Sequence, residues 1–73
     1  MSTSPESTVV NLLSRWLAGH VTNEEAGREL AGIDLPGEGG ELLAELRAEL
    51  PAGRQGELER LVRETLEAVA LGH

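Results

Sequence analysis

The chain has no cysteine, lysine, tyrosine or phenylalanine, and Trp16 is its only aromatic residue. Without cysteine it can form neither a disulfide nor a thiolate metal site. Lysine is also missing as a nucleophile, and no hydroxyl residue has the nearby histidine and acid that would activate it. The sequence therefore predicts a protein that is not an enzyme and that holds no metal or other cofactor.

Positive charge is also scarce, because 13 acidic residues face six arginines in 73 residues, for a net charge of −7. Nucleic acids and anionic membranes both select clustered cations, so we expect neither as a partner. No apolar run approaches the ~20 residues that span a bilayer. The first residues lack the basic and apolar regions of a secretory signal. We expect a cytoplasmic protein.

Hydrophobic residues recur with the helical period and predict an all-α fold, a bundle of three to four short helices. Ser4 and Pro5 suit the cap and first position of a first helix. Thr22 and Glu25 have capping-box spacing for a second helix. A third helix is predicted over residues 40–50, and a fourth from residue 54 to about residue 70. We expect a disordered N-terminus over residues 1–5 and a single helical domain over residues 6–73.

Residues 33–40 contain one proline and three glycines, and this composition predicts a connecting loop. Ile33 and Leu35 are expected to hold that loop against the core. The second helix resembles the first helix of a helix-turn-helix motif. However, the acidic, glycine-rich stretch that follows it does not suit a recognition helix. His20 and Glu24 have metal-ligand spacing, but Gly19 and the Thr22 cap break the helix there and no third or fourth ligand is evident, so no metal site is predicted.

The small size of the chain and its leucine-rich core predict a homodimer or a tight complex with another protein. Trp16 is either an interface anchor or the one large core residue. We expect the first and fourth helices to supply the contact. The predicted self-association residues are Val9, Leu13, Trp16, Leu17, Leu58, Leu61, Val62, Leu66 and Val69.

Negative charge is concentrated in the middle of the chain, where residues 24–50 hold eight acids and two arginines. This region is either a solvated face or a surface for a basic partner. The predicted acidic partner surface consists of Glu38, Glu41, Glu45 and Glu49. The expected function is a protein–protein interaction module that serves as an adaptor, regulatory or assembly domain. The alternatives are an acidic inhibitor or nucleic-acid mimic, and an accessory subunit of an enzyme complex.

Residues 50–73 include Leu50-Pro51-Ala52-Gly53-Arg54 and Leu58-Glu59-Arg60-Leu61-Val62. They resemble the first helix of an acyl carrier domain of modular polyketide synthases. The resemblance implies a helix here. The carrier activity of that family depends on an Asp-Ser-Leu motif whose serine holds phosphopantetheine. This chain contains no Asp-Ser-Leu, so the resemblance does not extend to carrier function.

Overall fold

The computed structural model describes residues 4–71, which form four helices and no strand. The all-α prediction is confirmed. Residues 1–3 and 72–73 lie outside the described residues. Ser4 and Pro5 form the cap and the first residue of the first helix. The helices are α1 (Pro5–Leu17), α2 (Asn23–Leu30), α3 (Gly37–Glu49) and α4 (Gln55–Leu71).

Helix α1 begins and ends at the residues that the sequence indicates. The Ser4 hydroxyl accepts a hydrogen bond from the backbone N–H of Ser7 at 3.2 Å. At the other end Gly19 adopts a φ of +83°, which L-residues with side chains rarely take. The N–H groups of Gly19 and His20 donate to the carbonyls of Trp16 and Arg15. This is a Schellman motif, and it satisfies carbonyls that the helix end leaves unpaired.

Helix α2 is held at both ends by side chains. The Thr22 hydroxyl accepts from the Glu25 N–H at 3.1 Å, and Glu25 Oε1 accepts from the Thr22 N–H at 3.2 Å. The predicted capping box is therefore confirmed. From α3, Arg47 Nη1 donates to the carbonyls of Leu30 at 3.2 Å and Ile33 at 3.4 Å. This cation compensates the negative end of the α2 dipole and ties α2 to α3.

Helix α3 begins at Gly37, which corrects the prediction that residues 33–40 are a loop and that the helix starts at residue 40. Pro36 precedes the helix in an extended conformation, and Gly37 has a φ of +68°. Gly39 and Gly40 lie inside the helix, where the absence of a side chain permits close packing. A Cβ on Gly40 would collide with the carbonyl oxygen of Leu35. These glycines are therefore packing residues.

The core lies between α4 and the other helices, and α4 packs most extensively on α3 and next on α1. Helix α4 is therefore the packing partner of both α3 and α1. Thr65 is also fully buried, and its hydroxyl donates to the Leu61 carbonyl at 2.7 Å. Ile33 and Leu35 pack against the core as predicted. The buried apolar residues are Val9, Leu12, Leu13, Trp16, Ala26, Leu30, Leu43, Leu46, Leu50, Leu58, Leu61 and Val62.

Among the helices described, none is both long enough and apolar enough to cross a membrane.

Candidate functional site: an apolar groove with an acidic rim

A groove of about 530 Å³ opens where the start of α3, the end of α4 and the start of α1 meet. We call it the acidic groove. Its apolar lining comes from the α2–α3 connection, α3 and α4, and consists of Leu35, Pro36, Leu42, Ala68, Val69 and Leu71. Its carboxylates come from α1, α3 and α4, and are Glu6, Glu38, Glu64 and Glu67.

Small residues open the groove while the helices beside it stay close. Gly37 and Gly39 line one side, and Ala68 lines the other. A Cβ on Gly39 would lie 3.3 Å from Val69 Cγ2, so α3 and α4 approach closely at that point. Leu71, at the end of α4, is 70% exposed, the largest exposure of the large hydrophobic residues described. The groove thus presents apolar surface that residues 4–71 do not cover.

The four rim carboxylates are exposed, and among residues 4–71 no arginine or histidine lines the groove. Arg60 lies one helical turn before Glu64, yet no ion pair joins them. Within the described part of the chain, the ion pair that forms is Arg28–Glu24 in α2, with 3.4 Å between Nη2 and Oε1. The described rim of the acidic groove is therefore negative, and no described cation pairs with it.

A second, shallower depression of about 270 Å³ continues the groove onto α1. It shares Glu6 and Val69 with the acidic groove and adds Val10 and Ala70. Val10 is 37% exposed. The apolar surface therefore extends from the end of α4 across to the first half of α1.

The predicted acidic partner surface is exposed along its whole length, but only one member lines the groove. Glu38, Leu42, Glu45 and Glu49 are separated by four, three and four residues, and this spacing places them along one side of α3. Glu38 and Leu42 line the acidic groove. Glu41 flanks this row and is also exposed. The negative surface therefore continues from the groove along α3 through Glu45 and Glu49.

The predicted self-association residues are mostly inside the molecule. Leu17 is 38% exposed and Trp16 is 5% exposed. Leu66 and Val69 are partly buried, and Val69 lines the groove. Of the predicted self-association residues, Leu17 is therefore the one that is exposed. The set buried within the single chain is Val9, Leu13, Trp16, Leu58, Leu61 and Val62.

Trp16 has the geometry of a core residue with a polar anchor. Its indole N–H donates to Asn23 Oδ1 at 2.6 Å, which links α1 to the first residue of α2. A buried indole usually requires such a partner. Of the two roles predicted for Trp16, the one that this geometry supports is the large core residue.

Sequence reasoning missed most of the groove. The sequence pattern predicts that Leu35 contacts the core, but it does not place Leu42 and Leu71 in one groove with Glu64 and Glu67. Glu64, Glu67 and Leu71 follow helical spacing of three and four residues. That spacing was the available signal, because it places one apolar residue beside two acids on one side of α4.

Residues 4–71 show neither a cluster of metal-binding side chains nor an unpaired buried polar side chain. No group of three or more His, Asp or Glu side chains in residues 4–71 is placed to hold a metal ion. No buried side-chain nitrogen or oxygen in this part of the chain lacks a hydrogen-bond partner. The pKa of Glu25 is lowered by its hydrogen bonds from the Thr22 backbone and side chain, which belong to the α2 cap. That shift reports helix capping.

The helix pair α2–α3 is relevant to the helix-turn-helix alternative, because a helix does follow α2. The exposed side of this helix, α3, carries Glu41, Glu45 and Glu49. The one cation of α3, Arg47, already donates to the carbonyls of Leu30 and Ile33. A recognition helix needs donors and cations directed to DNA, so the charge of α3 opposes this role although its helical structure does not.

Comparison with known proteins finds no matching family model, no matching curated protein and no matching solved structure. The resemblance of residues 50–73 to an acyl carrier domain therefore has no family match behind it.

Proposed function

We propose that this protein is a non-enzymatic interaction module that binds an apolar segment of another protein in the acidic groove. One observation carries the proposal: the groove presents uncovered apolar surface, with Leu71 70% exposed, inside a rim of four carboxylates. Exposed apolar surface surrounded by polar residues is typical of protein-binding sites. Adaptor, regulatory and assembly roles all require such a surface.

A protein segment fits this groove better than a small molecule does. Pockets for small molecules place a few polar groups at fixed positions in a largely enclosed cavity. Here the charged groups are exposed carboxylates at the edge. The apolar lining also continues toward Val10 on α1, which extends the surface along the molecule. An elongated apolar segment can use that extension.

Site-specific photo-crosslinking tests the proposal. A photoreactive residue replacing Leu71 should crosslink to a distinct protein in native extract, since this position lies in the groove. The matched control replaces Glu29, which is exposed on α2 outside the groove. Equal crosslinking from both positions, or none from Leu71, would contradict a binding site in the groove.

Self-association is a second proposed function, and the exposed residues of α1 favour it. Val10 and Leu17 are 37% and 38% exposed, and they lie two turns apart on one side of the helix. A second copy packing on this side would complete the predicted homodimer. Sedimentation should then detect a dimer that Leu17→Ser dissociates. A wild-type chain that sediments as a monomer at micromolar concentration would exclude it.

A further inference from the structure

We infer that the segment bound in the acidic groove is a basic amphipathic helix of another protein. Its apolar side would contact the floor of the groove, and its Lys or Arg residues would flank that side. This inference rests on the proposed function, since it names the partner of the same site. Three features of the groove carry it: the floor is apolar, the rim is acidic, and no described cation lies beside that rim.

Charge complementarity selects the basic character. Glu6, Glu38, Glu64 and Glu67 surround the groove on three helices, and no cation of residues 4–71 lines it. A partner that brings cations to this rim gains favourable interactions and faster association. A neutral segment leaves the four carboxylates without counter-charges, and an acidic segment is repelled. The exposed Glu45 and Glu49 continue the negative surface along α3 for a helix longer than the groove.

The apolar floor selects the amphipathic character. Leu42 of α3, Leu35 of the connection and Leu71 of α4 surround a depression in which Gly39 and Ala68 leave space. A helix presents side chains at i, i+3, i+4 and i+7 to such a groove, and aliphatic anchors at these positions fill it. A basic segment without an apolar side would leave the Leu71 side chain uncovered.

A second copy of this chain does not supply a suitable occupant. The most arginine-rich stretch is residues 54–63. It holds three arginines and two glutamates, which are Arg54, Glu57, Glu59, Arg60 and Arg63. Its apolar residues, Leu58, Leu61 and Val62, are core residues of α4. Exposing them would require the bundle to open. The partner is therefore a different protein.

Peptide binding to the full chain tests this inference with three probes of equal length. The first is an 18-residue helix with leucines at helical spacing and lysines elsewhere. The second is its neutral twin, in which glutamine replaces lysine. The third has the composition of the first, but its order spreads the leucines around the helix. We expect the first peptide to shift the amide resonances of Gly39, Leu42 and Ala68 and to bind at least about 10-fold more tightly than either other peptide.

Paired variants locate the interaction. Glu64→Gln with Glu67→Gln should weaken binding of the basic peptide by about 3- to 10-fold, as expected for two exposed charges. The charge-matched control, Glu24→Gln with Glu29→Gln, should change it by less than about 2-fold. Leu71→Ser should weaken binding, whereas Leu17→Ser, which lies outside the groove, should not. Circular dichroism verifies that each variant is folded.

Each outcome decides between the claims. If the neutral twin binds the groove as tightly as the basic peptide, the basic partner is wrong while the groove as a binding site stands. If the reordered peptide binds equally well, or if both glutamate pairs have equal effects, unspecific charge attraction explains binding and the inference is wrong. If the basic peptide does not shift groove resonances, the inference is wrong, and the crosslinking experiment decides the proposed function separately.

Discussion

The two ends of the bundle differ in how their backbone and side chains are satisfied. At the closed end, α1 finishes in a Schellman motif, α2 begins in a capping box, and the Trp16 indole donates to Asn23. At the open end, α3 begins after Pro36 with no side-chain cap, and α4 finishes with Leu71 largely exposed. Trp16 lies ten residues after Glu6 in α1, which separates the ends by about 15 Å.

This difference teaches that the polar contact of Trp16 and the uncovered apolar surface of the acidic groove lie at opposite ends of the molecule. A domain this small has limited stability, about 3–5 kcal/mol from a single core. The closed end and the central leucines therefore hold the bundle together. The open end carries the acidic groove and the exposed Leu71. Substitutions at the two ends should consequently have unequal effects.

The largest expected difference compares Trp16→Ala with Leu71→Ala. Trp16 is 5% exposed, and its truncation should cost about 3–5 kcal/mol, because it removes core packing and leaves a cavity. Such a loss is comparable to the whole stability of a small domain, so the variant should be largely unfolded. Leu71→Ala should change stability by about 0.5 kcal/mol or less. Urea denaturation followed by far-UV circular dichroism measures both, and equal losses would refute the separation.

The next effect concerns glycines inside helices. Gly40→Ala should destabilise the protein by about 1–3 kcal/mol, because the new Cβ collides with the Leu35 carbonyl and forces a backbone shift. Gly56→Ala is the control in α4, where a Cβ meets nothing within 4 Å. It should stabilise the helix by about 0.4–1 kcal/mol through a less flexible unfolded chain. Thermal unfolding should therefore shift in opposite directions, and shifts of the same sign would contradict close packing at Gly40.

Helix boundaries could be predicted from the sequence where their determinants are local. Ser4-Pro5 at the open end, and Gly19 and the Thr22–Glu25 pair at the closed end, each act within a few residues, so their pattern indicates a helix boundary without knowledge of the fold. The start of α3 was predicted wrongly for the opposite reason. Gly39 resembles a loop residue locally, but its close approach to Val69 of α4, far away in the sequence, makes it a helical packing residue.

The groove could not be predicted for a related reason. Its lining combines Glu6, Leu35 and Leu71, which lie far apart in the sequence and meet only through packing of α1, α3 and α4. Helical periodicity identifies which side of a helix is apolar, but it does not tell which part of that side is covered by a neighbour. Val9 and Leu71 both belong to apolar positions, yet one is fully buried and the other is largely exposed.

A smaller effect is expected at the cap of α2. Thr22→Ala removes the hydroxyl that accepts from the Glu25 N–H, and such a loss costs about 1 kcal/mol. Ser14→Ala is the control, because Ser14 is exposed on α1 and does not cap a helix. It should change stability by about 0.5 kcal/mol or less. Urea denaturation of the two variants gives the comparison, and an equal effect would mean that the cap adds little.

The smallest expected effect is the pH dependence contributed by Glu25. Hydrogen bonds from the Thr22 backbone and side chain lower its pKa below the ordinary value of 4.5 in the folded chain. A carboxyl whose pKa is lower when folded stabilises the native state above its unfolded pKa. That stabilisation is lost as the pH falls through the lower folded value. The free energy of unfolding should therefore decline on acidification below about pH 4.5 by more in the wild type than in Glu25→Gln.

Glu24→Gln, which leaves the Thr22–Glu25 hydrogen bonds in place, should retain the Glu25 contribution. Urea denaturation at neutral pH and below pH 4 separates them, and an unchanged pH dependence in Glu25→Gln would mean that the capping carboxylate is not favoured in its charged form.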